Sequence, residues 1–201
     1  MVQAIEWWAQ RAGAVALLAT LATVLWGLWS ASGRPKGRET GGVGQILRRP
    51  FYVVASTLYF GLCYALWRPL PWTLSPAARA VALALGSALY FPGVGLVLWA
   101  RLTLGAAYNT SLSSGAQLLA GQSLITHGPF SLMRHPMYVG INLAALGGLL
   151  LYRTWTFVFA LSFVALIKRA RREEEVLAVE FGEQWEEYRR RVPGWIPRLR
   201  R

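Results

Sequence analysis

A chain of 201 residues that is 55% hydrophobic and only 15% charged is not composed like a soluble domain; it reads as a single all-α integral membrane unit. Its 21 lysines and arginines against nine acids, +12 overall, would raise nucleic acid as a partner for a soluble protein, but in a membrane chain that excess is first tested against the sidedness of the loops. The one cysteine, Cys63, lies inside an apolar run, and the two histidines, His127 and His135, have no carboxylate near them in sequence, so neither a disulfide framework nor a metal site is expected.

The first apolar run, residues 12–29, approaches the roughly 20 residues that cross a bilayer. Trp7, Trp8, Trp26 and Trp29 sit at its ends as interfacial anchors. Glu6 accompanies Arg11 ahead of it, unlike the basic leader of a signal peptide, so the run is expected to persist as a span. The GRPKGRETGGVGQILRRP that follows is a basic, glycine-rich loop with room for a short interfacial helix. Its GGVG follows no strand signal and has no aspartate downstream, so it carries no nucleotide role.

Residues 51–67 make a second, short span that draws on Leu70 and Trp72 at the interface. Pro69, Pro71 and Pro76 make the connection after it tight and non-helical. Residues 77–100 form a third span interrupted by Pro92, with Gly93 and Gly95 close behind. A proline there frees carbonyls that must face protein or a polar cavity, which marks either a functional break or, more simply, a packing kink.

Residues 101–131 are polar and lead into residues 126–140, THGPFSLMRHPMYVG, where both histidines, Arg134, Tyr138 and two prolines are concentrated. Pro136 suits the first position of a helix, where its missing N–H would have had no partner. Arg134 and His135 then lie at the membrane end of that helix, as part of a site or as headgroup anchors with Tyr138 as an interfacial aromatic. Residues 137–167 are apolar except around Arg153, too long for one span. They fit two short ones, 137–152 and 154–170, turned back as a hairpin, with Gly140, Gly147 and Gly148 as surfaces for close packing.

The tail from Lys168 shows helical spacing: Leu177, Phe181, Trp185 and Tyr188 form an apolar stripe, glutamates and arginines take the other face, and Val192-Pro193 ends it. An amphipathic helix lying on the membrane or folding back over the core is expected. Arg169 and Glu173, four apart, share a face and on spacing alone read as a solvated ion pair. Five spans with the tail inside put 17 of the 21 basic residues on the cytoplasmic side and leave only Arg11, Arg68, Arg79 and Arg153 elsewhere. That sidedness accounts for the charge without nucleic acid.

The order THGPF, RHPMY, a glycine-containing hairpin, then Arg169, the Glu173-Glu174 pair, Leu177, Phe181-Gly182, Tyr188 and Arg191-Val192-Pro193 resembles the isoprenylcysteine carboxyl methyltransferase family and its wider membrane group, which includes phospholipid N-methyltransferases. The resemblance covers about residues 124–197 and reaches the N-terminal half only in hydrophobicity. It implies an enzyme that binds S-adenosyl-L-methionine on its cytoplasmic side, releases S-adenosyl-L-homocysteine and, surrounded by membrane lipids, methylates a lipophilic acceptor reached from the bilayer. Carried over, His135, Pro136, Met137 and Tyr138 would line the cofactor site, with Leu124, Ile125 and Phe130 ahead of them. Glu173 would hold cofactor hydroxyls or its amino group, Arg169 would meet the substrate, and Arg134 joins these two as a catalytic candidate. Phe130 stands where many relatives have tyrosine, Gln122 replaces a frequent histidine, and Trp185 replaces a tyrosine.

Transfer of a methyl from a sulfonium needs no protein nucleophile, and a carboxylate acceptor is ionised at neutral pH and needs no base. Arg169 could orient such a carboxylate; an amine acceptor would instead call on Glu173 or Glu174. Carboxyl O-methylation of an isoprenylcysteine-like acceptor is therefore the first reading, and a phospholipid or small thiol methyltransferase the second. A non-catalytic membrane scaffold is a third, and a transporter is disfavoured because no two-half repeat exists. The alanine, leucine and arginine bias points to a prokaryotic inner membrane, where prenylated proteins are not expected as acceptors.

Overall fold

The computed structural model describes residues 2–31, 49–107, 123–161 and 163–197, whose regular elements are helices joined by short coil: α1 (Val2–Ala31), α2 (Arg49–Ala65), α3 (Pro76–Leu104), α4 (Pro136–Tyr152), α5 (Trp155–Ala160), α6 (Phe163–Phe181) and α7 (Glu183–Arg191). Short 3-10 turns lie at Gly105–Ala107 and Gly128–Ser131. Among the described residues there is no strand beyond one isolated pairing of Pro69 with Thr154. Two helices, Val2–Gly27 and Pro76–Leu104, are long and apolar enough to cross a bilayer, and Pro136–Tyr152 is apolar but shorter. The glycine-rich segment 32–48, the polar residues 108–122 and Gln122 with them lie outside the described residues.

The centre of the molecule is the antiparallel pair α3 and α4, which touch backbone to backbone. A Cβ added to Gly93 would stand 2.9 Å from Gly140 O, and one added to Gly140 would stand 2.7 Å from Gly93 O; Gly86 and Gly147 face each other in the same way further along. Small residues allow this approach, and in a bilayer close packing replaces the hydrophobic drive that joins helices in water. The helix of α3 runs on through Pro92, and Gly93 beside it is spent on contact with α4, so the proline accompanies packing.

α1 runs parallel to α3 and is tied to it by Tyr90 OH donating to Gly13 O at 3.0 Å and Arg101 Nε donating to Thr23 O at 3.1 Å. It starts at Val2, ten residues before the apolar run at 12–29, because its first turns have a partner of their own. Glu6, only 3% exposed, receives Arg79 Nε at 2.5 Å and is also bonded by Arg153. Arg153 is the residue that closes α4 in a left-handed conformation (φ 52°). Arg79 and Arg153 thus share one carboxylate as their counter-ion. Glu6→Ala should cost about 2–3 kcal/mol, because it strands Arg153 half-buried without a counter-ion while Arg79 keeps access to solvent. Thermal unfolding in detergent, followed by circular dichroism, measures this, and an unchanged midpoint would show the triad to be idle.

The return limb is less regular than its composition suggests. The run 154–170 is not one helix: α5 ends at Ala160, Leu161 takes an extended ψ of 91°, and α6 begins at Phe163. α6 then continues out of the apolar region to Phe181. Gly182, at φ 50°, breaks the tail into α6 and α7 by adopting a conformation that a side chain would strain.

Candidate active site

The motif at 126–140 is held by its own prolines and by the end of the chain. Gly128–Ser131 turns once, with Pro129 buried; Pro136, also buried, opens α4, and His135 precedes it without capping the helix through its side chain. The main chain of Arg134 donates to Pro193 O at 2.9 Å and that of His135 to Gly194 O at 3.0 Å, so the residues after α7 are laid along the motif. α7 buries Trp185 and Tyr188, and Tyr188 OH donates to Phe130 O at 2.7 Å. Burial and the nearby Glu174 outweigh the pull of Arg134 and push that hydroxyl up to about 12, which keeps it a donor. The ring of Phe130 carries no hydroxyl, and its carbonyl is used for docking α7.

Two carboxylates adjacent in sequence diverge into two tasks. Glu174 Oε1 meets His135 Nε2 at 2.7 Å and Arg134 Nη2 at 3.1 Å, while Arg134 Nη1 donates to Arg189 O at 3.0 Å. That set joins α6, the motif and α7. With an ionised carboxylate as acceptor, Nε2 carries the imidazole proton. Burial acts to raise the Glu174 carboxyl, but the His135 hydrogen bond and the charges of Arg134 and Arg189 more than offset it and hold it below its ordinary value of 4.5. A depressed carboxyl stabilises the fold above its ordinary value and ceases to do so as pH falls through the folded one. Melting temperature should therefore fall on acidification from neutral to about pH 4 more steeply in the wild type than in Glu174→Gln; parallel curves would mean the contact contributes nothing.

Glu173 turns the other way. Its Oε1 accepts from Tyr138 OH and from Arg169 Nε at 3.1 Å, and Arg169 Nε also reaches Tyr138 OH at 2.9 Å. Arg169 and Glu173 are therefore not a solvated pair but two corners of a triangle completed by α4, their side chains 32% and 28% exposed. Among the described residues Glu173 Oε2 and both Nη groups of Arg169 have no hydrogen bond. Beside them the rings of His135 and Tyr138 lie 5.7 Å apart and 16° from parallel, and Trp195 stands 5.3 Å from His135 and 6.4 Å from Tyr138.

The structure thus gathers His135, Pro136, Tyr138, Arg169 and Glu173 in one place. Met137 is half-buried in the first turn of α4, and Leu124 and Ile125 are half-buried in the coil before the turn. Arg134 is directed at Glu174 and α7 rather than at the Arg169–Glu173 triangle. His127 is exposed. Trp195 and the anchoring task of Glu174 were not foreseen; a tryptophan two residues beyond the final Val-Pro was the available signal.

Residues 81–184 match the model of the phospholipid methyltransferase family, and with it half of the chain. The chain belongs to that family. This family member is 30% identical over 159 residues to methanethiol S-methyltransferase 2 of Bradyrhizobium diazoefficiens, covering 76% of the chain and 60% of the relative. It is 34% identical over 103 residues to the protein-S-isoprenylcysteine O-methyltransferase of Schizosaccharomyces pombe, covering 43% and 44%. It therefore spans less than two thirds of the length of these curated relatives. The solved structure of a eukaryotic intramembrane Ras methyltransferase, an isoprenylcysteine carboxyl methyltransferase, shares the fold with a TM-score of 0.51 at 24% identity, over 74% of this chain and 53% of that one. The phospholipid methyltransferase family member and that enzyme are alike in fold.

Proposed function

We propose that the protein is an S-adenosylmethionine-dependent membrane methyltransferase that methylates the carboxylate of a lipophilic, isoprenylcysteine-like acceptor. The observation that carries the reading is the uncommitted pair of Arg169 Nη groups beside Glu173 and Tyr138. The donor set also suits S-adenosylmethionine: Glu173 Oε2 is an ionisable acceptor for sugar hydroxyls or an ammonium, and the faces of His135, Tyr138 and Trp195 are surfaces for a base or a sulfonium. When bound, S-adenosylmethionine supplies an activated methyl carbon that an ionised acceptor can attack directly.

The chain's own groups then have orienting work. Arg169 presents its free Nη fork to a carboxylate, and its Nε is held by Tyr138 and Glu173 so that the fork cannot swing. The Tyr138 proton points at Glu173 and stays there, since a carboxylate acceptor has none to give up. Trp195 and α7 cover the motif against water. Arg134 serves this arrangement by fixing α7.

Around this site we read five spans, with the motif, α7 and the basic tail at the cytoplasmic face of a prokaryotic inner membrane, in keeping with the charge distribution. A small thiol is the second reading, favoured by the sulfur acceptor named for a relative that matches 76% of the chain. Calorimetric titration of the detergent-purified protein with S-adenosylmethionine and S-adenosylhomocysteine should show saturable binding. A folded sample that binds neither would overturn the methyltransferase reading. Turnover of a farnesylcysteine analogue against methanethiol and phosphatidylethanolamine then separates the acceptors.

A further inference from the structure

The end of the molecule opposite the Tyr138–Glu173–Arg169 triangle carries charge that the chemistry above does not use. Arg153 closes the helix whose first turn holds Tyr138, about 22 Å away at about 1.5 Å per residue. Arg79 stands in the first turn of α3. Arg68 lies in the coil after α2, where Trp155 N donates to Arg68 O at 3.2 Å and Leu70 N donates to Arg153 O at 2.7 Å. The segments that carry Arg68 and Arg153 thus run side by side, and Glu6 joins Arg153 to Arg79. Three arginines are gathered against one carboxylate: seven of the nine acids lie between Glu173 and Glu187, and among the described residues Glu6 is alone at this end.

Glu6 sets the geometry without cancelling the charge. Its Oε2 accepts from Arg79 Nε at 2.5 Å, and both Nη groups of Arg79 are left without a hydrogen bond among the described residues, on a side chain 39% exposed. Arg68 is exposed and forms no side-chain hydrogen bond or ion pair among the described residues. A guanidinium held at Nε and open at both Nη atoms is pre-set to meet two oxygens of a phosphate. The surrounding aromatics fix the depth. Trp7, Trp67, Trp72 and Trp155 neighbour these residues in sequence and are each about half exposed, as tryptophans are at the headgroup level of a bilayer. The oxygen anion abundant at that level is the lipid phosphodiester.

We propose that Arg79, with Arg68 and Arg153 beside it, binds the phosphate of an anionic phospholipid at the face away from the methyl-transfer site. Three arginines against one glutamate leave two positive charges, so the site selects a lipid whose headgroup charge is the phosphate alone, of the phosphatidylglycerol kind. A choline or ethanolamine headgroup brings its own cation into the same surroundings and is disfavoured. The lipid is a bound structural ligand and not a methyl acceptor. The inference rests on the membrane reading and is independent of the methyltransferase one.

The test is native mass spectrometry of the full chain released from detergent, titrated with phosphatidylglycerol, with phosphatidylcholine of the same acyl chains, and with inorganic phosphate as the free anion. The wild type should hold its first phosphatidylglycerol about tenfold more tightly than phosphatidylcholine. Arg79→Gln should reduce that preference to about twofold. Arg79→Lys keeps a cation for Glu6 where the glutamine variant does not fold, and should retain only about threefold because the fork is lost. Arg190→Gln, which removes an exposed charge of α7, should leave the tenfold preference intact. Equal affinity of the wild type for the two lipids overturns the site without recourse to any variant, as does a preference that survives both Arg79 variants. A loss in Arg190→Gln as large as that in Arg79→Gln also overturns it, since net charge alone would then account for the preference. Displacement of phosphatidylglycerol by inorganic phosphate at equal concentration would make this a free-anion site and overturn the lipid. A chain that stays in solution without detergent would instead overturn the membrane reading.

Discussion

Glu173→Gln should weaken S-adenosylmethionine binding by about 30-fold or more, an effect of about 2 kcal/mol expected for hydrogen bonds to a charged acceptor. The carboxylate is the junction of the site: Oε1 accepts from Tyr138 and Arg169, and Oε2 remains for a ligand. The amide removes the charge that an ammonium or a sulfonium would meet. It must also place either its oxygen toward Tyr138 and Arg169 or toward the ligand, and the other direction then receives an NH2 group. Arg169→Ala should behave differently, leaving cofactor affinity within a few-fold and lowering turnover of an anionic acceptor, because the lost donors are the ones aimed outward. Calorimetry on both variants, with melting curves to check folding, measures the contrast. Wild-type affinity in Glu173→Gln would remove Glu173 from the cofactor site.

Gly147→Ala should be the most destabilising single methyl in the protein, about 3 kcal/mol, at the upper end for overpacking. The added Cβ would collide with Tyr90 N and stand 2.7 Å from both Gly86 O and Tyr90 Cα. All are backbone atoms, so no rotamer change relieves the contact, and α3 and α4 must separate. Separation moves Tyr138 and His135, which stand on the same helix as the glycine, so cofactor affinity should fall together with melting temperature. Gly61→Ala is the control: no atom lies within 4 Å of its added Cβ, and within α2 alanine is the better helix former, so the variant should be neutral or slightly stabilised. Equal melting temperatures for the two variants would mean that the α3–α4 contact is looser than its geometry.

What the sequence disclosed was whatever is written locally. The turn between α4 and α5 is visible because Arg153 interrupts an apolar run, and the start of α4 because Pro136 suits a first turn. The grouping of His135, Tyr138, Arg169 and Glu173 came from resemblance, since periodicity alone makes Arg169 and Glu173 a surface pair; it is Tyr138, 35 residues from Glu173, that changes their meaning. The features that were not legible left no local mark. The interruption at Leu161 has no proline at or just after it to mark it, and the Gly182 break sits inside a stripe whose spacing continues across it. Glu6 was weighed only as a feature of the residues ahead of a span, because its partners are 73 and 147 residues away. Contacts of that separation leave no periodic trace.

The Glu6 triad also bears on how the chain is made. Glu6 emerges from the ribosome long before Arg79 and Arg153, and in the five-span reading all three finish on the side to which arginines are not normally exported. A carboxylate already in place gives each late-arriving guanidinium a partner as the helices pack. In that reading the first helix supplies the counter-ion on which the later ones settle, and a variant without Glu6 should accumulate incompletely packed chains even where the mature fold can be reached.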